Sequence, residues 1–501
     1  MAMGKRKTCR QEPLFLAATD LPRTPAHPFY ERLNQILAEH QFDPFVEGLC
    51  QPYYAEVLGR PSLEPGKYFR FLLLGYFEGI DSERGIAWRL ADSFSLRAFV
   101  GYAQYELTAD HSTLSRTRRL IDLETHSQVF QWVLTLLAKD GLIQGKTIGV
   151  DATTLEANAA LRSIIRRDTK ETYEEFLTRL AQTSGIETPT REDLAKVDRT
   201  RKNKASNKDW VNPHDPDAKI ATMKDGSTHL AYKVEHAVDL GEGAVGAVVA
   251  VTLTGADQGD TATLMPTLGQ AAENLQAVAT DPEAAAPMNA ERVREAVTDK
   301  GYHSNGSLLD LEESNTRSYV PEPERGERDW EGKEEERKAV YANRRRIRGP
   351  RGKRLLRRRG EYLERSFAHA YETGGMRRLH LRGQENILKR LLLHVSGFNL
   401  SLVMRKLIGK GTPRGLQGLV CGVFSWFWLL GLVIKDAWRP LGAFHRAKDR
   451  LHCFCRGNEA LPKTRVLPRA VRLSRGQVIG FGESGGYVHQ RGSRPGSISE
   501  D

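Results

Sequence analysis

Residues 146–155, KTIGVDATTL, decide the fold. Ile148 and Val150 alternate with Gly149 and Asp151, the two-residue period of a β-strand. Upstream the period is helical. Phe29, Leu33, Ile36 and Leu37 share one face, a second helix runs from Tyr68 to Phe77, and Val129, Phe130, Trp132, Val133, Leu136 and Leu137 mark another. Thr125 and Gln128 have capping-box spacing before that last run, and Gly141 after Lys139 and Asp140 is a stop signal.

Downstream, THLAYKVEHAVDL and GAVGAVVAVTLTG read as two strands joined at the turn GEG. Asp260 and Thr261 cap a helix, REAVTDKGY is a strand ending near Asp299, a helix surrounds Leu308–Glu312, and RSYVPEP is a further strand. A long helical region follows from Glu361 to about Leu407, interrupted by Gly374 and Gly375. Three antiparallel strands followed by βα units predict an α/β core with a mixed sheet, behind an all-α N-terminal domain. The expected boundaries are a disordered 1–27, a helical 28–141, an α/β 142–409 with charged insertions near 165–215 and 322–359, an apolar helix 410–434, and an atypical tail 435–501.

The chain has 501 residues, a net charge of +11 and a pI near 9.3. That length predicts two or three folded units, and that charge favours a polyanionic partner. The charge is local. From Arg337 to Arg359 there are twelve Lys or Arg and no acid, so the rest of the chain sums to about −1. Five scattered cysteines give neither a disulfide framework nor a zinc pattern. No apolar run follows the basic start, so no signal peptide is read and a cytoplasmic protein is expected. Gly418–Ile434 is uncharged over 17 residues, at the short edge for a membrane span; a buried or oligomer-contact helix is the preferred reading, and no membrane partner is expected.

Asp151, Asp299 and Glu364 sit at element ends, the first two at strand ends and the third beside an apolar stripe of Leu363, Phe367 and Ala370. Strand ends side by side on a sheet bring distant residues together. Three carboxylates there would form an oxygen-only site suited to Mg²⁺ or Mn²⁺, and two such ions roughly 3.5–4 Å apart serve phosphodiester chemistry. Position alone does not single these out from 63 acidic residues. Asp257 and Asp260 read as turn or cap residues, and Asp215, Asp217 and Asp225 as shaping turns. Lys300 and Tyr302 suit phosphate steering and packing equally, and His303 reads as a structural histidine.

The segments GVDATTLEANA, DPDAKIATMKDGSTHLAYKVEHAVD, GADQGDTATL, VTDKGYHS and LERSFAHAYETGGMRRLHLRGQENILKRLLLHVSGFNLSLVMRKL together resemble the DDE transposases of the IS1182-type insertion sequences, in the broad IS4/IS5 group. The resemblance spans roughly residues 28–416. It implies an RNase H-like catalytic core, with Asp151 in GVDATT, Asp299 in TDKGYHS and Glu364 in LERSF as catalytic and metal-binding residues. It also implies two divalent ions, Mg²⁺ or Mn²⁺, and metal-dependent DNA cleavage with strand transfer. The group often has Arg four residues before the Glu and a basic residue seven after; here Gly360 and Tyr371 stand there. Arg357, Arg358, Arg359 and Arg365 are the alternative phosphate contacts, and Glu372 is a rival third acid.

Two surfaces are candidates for double-stranded DNA, as element ends or target. IDSERGIAWRLADSFSLRAFVG and TADHSTLSRTRRLI resemble a helix-turn-helix, with Ser112, Ser115, Arg116, Arg118 and Arg119 on the recognition element; a plain helical bundle with a basic face fits equally. In the basic run, Arg344, Arg345, Arg346, Arg348, Arg351, Lys353, Arg354, Arg357, Arg358 and Arg359 can clamp phosphates just before Glu364. Trp330 reads as a packing residue. Pairing two DNA ends implies a homodimer or larger synaptic complex. The competing readings are a decayed transposase acting as a repressor, and a nuclease without strand transfer.

Overall fold

The computed structural model describes residues 26–416 apart from 56–58, 60–61, 202–204, 224–225, 325 and 327. These residues lie in the first of two compact units, residues 1–423 and 424–501. The apolar run 418–434, the tail 435–501 and the expected disordered start up to residue 25 lie outside the described residues.

Seven helices come first: α1 (Pro28–Glu39), α2 (Phe42–Cys50), α3 (Pro65–Glu78), α4 (Glu83–Ala91), α5 (Phe94–Val100), α6 (His111–Leu120) and α7 (Leu123–Lys139). Their starts are written in short polar caps. Ser82, Ser93, Asp110 and Asp122 each accept the backbone N–H three residues on, at the heads of α4 to α7. Such a cap contributes about 1 kcal/mol. This moves the start of α7 forward: Asp122 is the cap, and Thr125, expected to cap with Gln128, is already inside the helix, hydroxyl near Tyr53 at 3.3 Å. Gly141 ends the segment in the left-handed conformation, φ 69°.

The chain then runs β1 (Thr147–Glu156), β2 (Ile165–Arg166), α8 (Tyr173–Thr183), α9 (Arg191–Thr200), β3 (Trp210–Val211), β4 (Lys219–Thr222), β5 (Thr228–Asp239), β6 (Val248–Gly255), α10 (Asp260–Val278), α11 (Pro282–Ala285), β7 (Glu295–Val297), α12 (Asn305–Glu313), β8 (Arg317–Tyr319), α13 (Glu334–Arg348), α14 (Pro350–Phe367) and α15 (Gln384–Ile408). The main sheet has six strands in the order β4-β5-β1-β7-β8, with β6 also on β5. The β4, β5, β6 and β1 pairings are antiparallel; β1–β7 and β7–β8 are parallel. The mixed sheet is the expected one, with β4 as an unforeseen extra strand. A helical N-terminal region followed by this sheet, with helices on it, is an RNase H-like arrangement.

Consecutive residues of β5 point to opposite faces. Glu235 meets Thr263 and Thr267 of α10, while His236 meets Ser366 of α14. The two helices therefore cover opposite faces. The basic segment, expected to precede a helix from Glu361, is itself helical. It forms α13 and α14, broken at Gly349 with Pro350 opening the second, a position where proline's fixed φ helps and its missing N–H costs nothing. A π-turn, Ala368–Thr373, ends that run before Gly374 and Gly375.

α15 joins the two regions. It packs on α3, α7 and β6, and its side chains from Leu391 to Met404 are all buried. A Cβ on Gly75 of α3 would lie 1.8 Å from the Arg390 guanidinium, so only glycine lets this buried arginine reach the Leu72 carbonyl at 2.6 Å. The stretch Gln384–Leu416 is long and apolar enough to cross a membrane by composition, yet its apolar window is 94% buried inside the protein, as a core helix is.

Candidate active site

β1 and β7 run in parallel with Thr147 beside Glu295, Ile148 beside Ala296 and Gly149 beside Val297. Continued two residues, that register sets Asp299 level with Asp151. Asp299 stands two residues past the last residue of β7, near the strand end that was expected. Asp151 does not end its strand: β1 continues to Glu156 because its pairing with β5 outlasts its pairing with β7.

The Asp151 side chain is 26% exposed. Its Oδ1 accepts the Ala152 N–H at 2.9 Å and its Oδ2 accepts Arg359 Nη1 at 2.9 Å. Burial raises its carboxyl above the usual range; Arg359 pulls the other way, and the charge of Asp299 adds to the rise. Asp299 Oδ1 accepts the Gly301 N–H at 2.9 Å and so caps the tight turn Lys300–Tyr302. That turn is pinned from beneath. The buried Tyr302 hydroxyl donates to Glu235 at 2.8 Å, and Glu235 also takes Thr263, Thr267 and the Lys233 ammonium.

Asp260, read from the sequence as a cap, is drawn into this edge. Gly259 is the cap of α10; Asp260 pairs with Lys233 at 2.6 Å. A Cβ on Gly301 would lie 2.6 Å from Asp260 and 3.1 Å from Asp299, so glycine is what lets the two carboxylates approach. The available signal for this cluster was Lys233 and Glu235 spaced two apart, both buried on one face of β5.

Glu364 is exposed on α14, with no side-chain partner among the described residues. Arg359, Leu363 and Ser366 of the same helix face the sheet. Arg358, Tyr362 and Arg365 on one flank donate to carbonyls of residues 240–245, the loop beside the start of β1. Glu364 follows Tyr362 by roughly 200° of helical rotation, on the flank away from that loop. Among the described residues no three His, Cys, Asp or Glu converge into a metal-holding group. The fold thus brings Asp151 and Asp299 together and leaves Glu364 apart from them. The rival, Glu372, is exposed and paired with Arg377.

The basic residues divide. Departing from the expected phosphate-facing surface, Arg118 is buried, paired with Glu83 and bonded to Asn386 of α15. Arg344 pairs with Glu322, Arg346 bonds Ser318, Arg351 pairs with the buried Glu295, and Arg358, Arg359 and Arg365 face the sheet side. In each case a nearby acid or carbonyl has claimed the guanidinium. Among the described residues, Arg345, Arg348, Lys353 and Arg357 stay exposed without an ion pair and Arg354 has only a loose one to Glu242, while Arg116 and Arg119 are exposed on α6. Lys353, Arg357 and Glu364 lie within about 20° of one line along α14. Trp330 packs beside Tyr341 under Arg328.

Residues 20–120 match the family described as Transposase domain (DUF772). The match covers α1 to α6, so the helical N-terminal region is similar to a transposase domain. No curated protein and no solved structure matches the chain significantly. The paired Asp151 and Asp299 fit a divalent cation on their chemistry: both present oxygen ligands, and their mutual repulsion is of the kind a cation relieves.

Proposed function

We propose that the chain is a DDE-type transposase that cleaves DNA at insertion-sequence ends and joins them to target DNA. The observation that carries this reading is the parallel register of β1 and β7, which brings Asp151 and, just past the end of β7, Asp299 to one edge of an RNase H-like sheet. The N-terminal transposase-domain match supports it, as does the resemblance to IS1182-type transposases. Asp151 and Asp299 would hold Mg²⁺ or Mn²⁺, with Glu364 the third ligand that the resemblance implies, a role that requires α14 to turn about its axis because Arg359, Leu363 and Ser366 now face the sheet. When bound there, two ions supply an activated nucleophile and a stabilised leaving oxygen.

The chain's own residues do the rest. Lys353 and Arg357 bind backbone phosphate on the line of α14 that leads to Glu364. Arg359 neutralises Asp151 until a cation does so. Glu235 and Tyr302 fix the turn that aims Asp299. The oxygen of water forms a new bond to phosphorus as the bond to the 3′-oxygen breaks, and the freed 3′-hydroxyl attacks a target phosphodiester in the same way. Two ends call for a homodimer or larger assembly, working on the nucleoid in the cytoplasm. The uncontacted Glu364 favours one other reading, a DNA-binding repressor that no longer cuts. A nuclease that cuts without joining would lack strand-transfer products.

Asp299→Asn is the test, on duplex taken from the DNA flanking the coding region. Single-turnover cleavage in Mg²⁺ falls about a thousandfold or more, while a mobility shift shows binding retained. Wild-type protein that binds but never cleaves would establish the repressor reading instead.

A further inference from the structure

β5 occupies one edge of β1 from Ile148 to Glu156, so whatever else pairs with Glu156 uses the other edge, the one β7 shares. Arg378 does so: it forms a parallel bridge with Glu156, and the Leu379 N–H donates to the Glu156 carbonyl at 2.9 Å. Along that edge come β7, then Asp299 level with Asp151, then Arg377 near the Thr153 hydroxyl at 3.4 Å, then Arg378, then Arg382 bonded to the Asn158 carbonyl at 3.0 Å. The basic segment therefore continues the line of the two catalytic acids.

It ends at a cavity of 280 Å³ whose polar lining includes Glu156, Asn158, His229, Arg378 and Arg382. That volume lies just below the roughly 300–1,000 Å³ of small-ligand sites, a size for a single nucleotide and far too small for a duplex. The arginines are loosely held. Arg378 is 3.6 Å from Glu156 with its side chain 63% exposed, and Arg377 and Glu372 are both about half exposed. Exposed pairs of this kind contribute little and give way to a phosphate. From Asp151 to Glu156 is five residues, roughly 17 Å of strand, so the cavity lies a few nucleotides along a DNA strand from the acids.

We propose that Arg377, Arg378 and Arg382 form a track for one DNA strand, leading from the Asp151–Asp299 pair along the β7 side of β1 to the cavity, which takes a single nucleotide a few steps from the cleaved bond. The track rests on the DNA-cleaving reading but fails independently of it. The experiment compares the full chain with Arg378→Gln/Arg382→Gln and Arg378→Lys/Arg382→Lys on the flanking-DNA duplex. The glutamine pair makes the plot of log affinity against log salt shallower by about 1.8, the loss of two phosphate contacts. Phosphate-ethylation interference disappears at a position a few nucleotides to one side of the cut. The lysine pair restores both, because the contact is electrostatic; a purely structural role for the arginines would leave it as defective as the glutamine pair. Unchanged slope and interference in the glutamine pair, with wild-type cleavage intact, overturn the track alone. Failure of the wild-type chain to cleave overturns the function on which it rests.

Discussion

Two helices, α6 and α14, carry arginines inward and outward, and they use the inward ones differently. In α6 the inward Arg118 pairs with Glu83 and reaches Asn386, so it ties three helices together. In α14 the inward Arg359 ties its helix to a carboxylate that the proposed chemistry requires. One arginine is mortar; the other stands where a cation would compete with it. Their outward neighbours, Arg116 and Arg119 on α6 and Lys353 and Arg357 on α14, are similarly exposed. A run of basic residues is thus several surfaces, sorted by helical phase, and only the outward ones are free for phosphate.

The largest effect tests whether the two helices belong to one folding unit. His126 lies in α7, His236 in β5 under α14, and His394 in α15 between the regions; all are fully buried. Burial lowers them to about 4, about 3 and about 3 respectively. Their folded pKa values lie below the unfolded value near 6.5, so the unfolded chain takes up protons first. Stability is full above about pH 6.5 and is lost as pH falls toward 3. His236 alone accounts for roughly 3 kcal/mol by about pH 4. Denaturant midpoints followed by separate probes in the two regions should fall together with acid. Two separate transitions would split the unit that α15 joins.

Next comes Arg118→Gln, which leaves Glu83 buried without its partner and should cost about 3 kcal/mol in chemical denaturation. Arg359→Gln should cost far less stability, because water reaches Asp151. It should lower the Mg²⁺ concentration for half-maximal cleavage by about tenfold, or roughly 1.4 kcal/mol. A rise instead would mean that Arg359 assists the site, and the contrast between the two arginines would collapse. The smallest effect belongs to the outward pair. Lys353→Gln/Arg357→Gln should change stability by less than about 0.5 kcal/mol, yet make the salt dependence of DNA binding shallower by about 1.8. The same change made at Arg116 and Arg119 should instead weaken discrimination between element-end and unrelated DNA, measured by competition.

Much of this architecture was legible in the residues. The two-residue period of KTIGVDATTL, the helical spacing before it and the alternation of strands and helices after it are local properties. Each depends on which face of a short segment is apolar, and neighbours in the chain fix that. The polar caps are equally local, although Asp122 was passed over for Thr125 because a carboxylate and a hydroxyl three residues apart offer the same acceptor pattern. Asp299 at a strand end could be read in the same way, since the turn DKGY follows it directly.

Sequence by itself determined most element types and the mixed sheet, and it named the acids only through a resemblance. Only tertiary structure decided which side chains meet. The levelling of Asp151 with Asp299 is a matter of register between strands 148 residues apart in the chain. The approach of Asp260 depends on a glycine in another loop. The division of the basic run depends on the rotation of α13 and α14 against the sheet, and the exposure of Glu364 on that same rotation. A local period says that a helix has an inward face; it does not say what waits there. For Arg118 it was Glu83, for Arg359 it was Asp151, and for Arg357 it was solvent, because a side chain's partner is set by long-range packing that no short window of sequence contains.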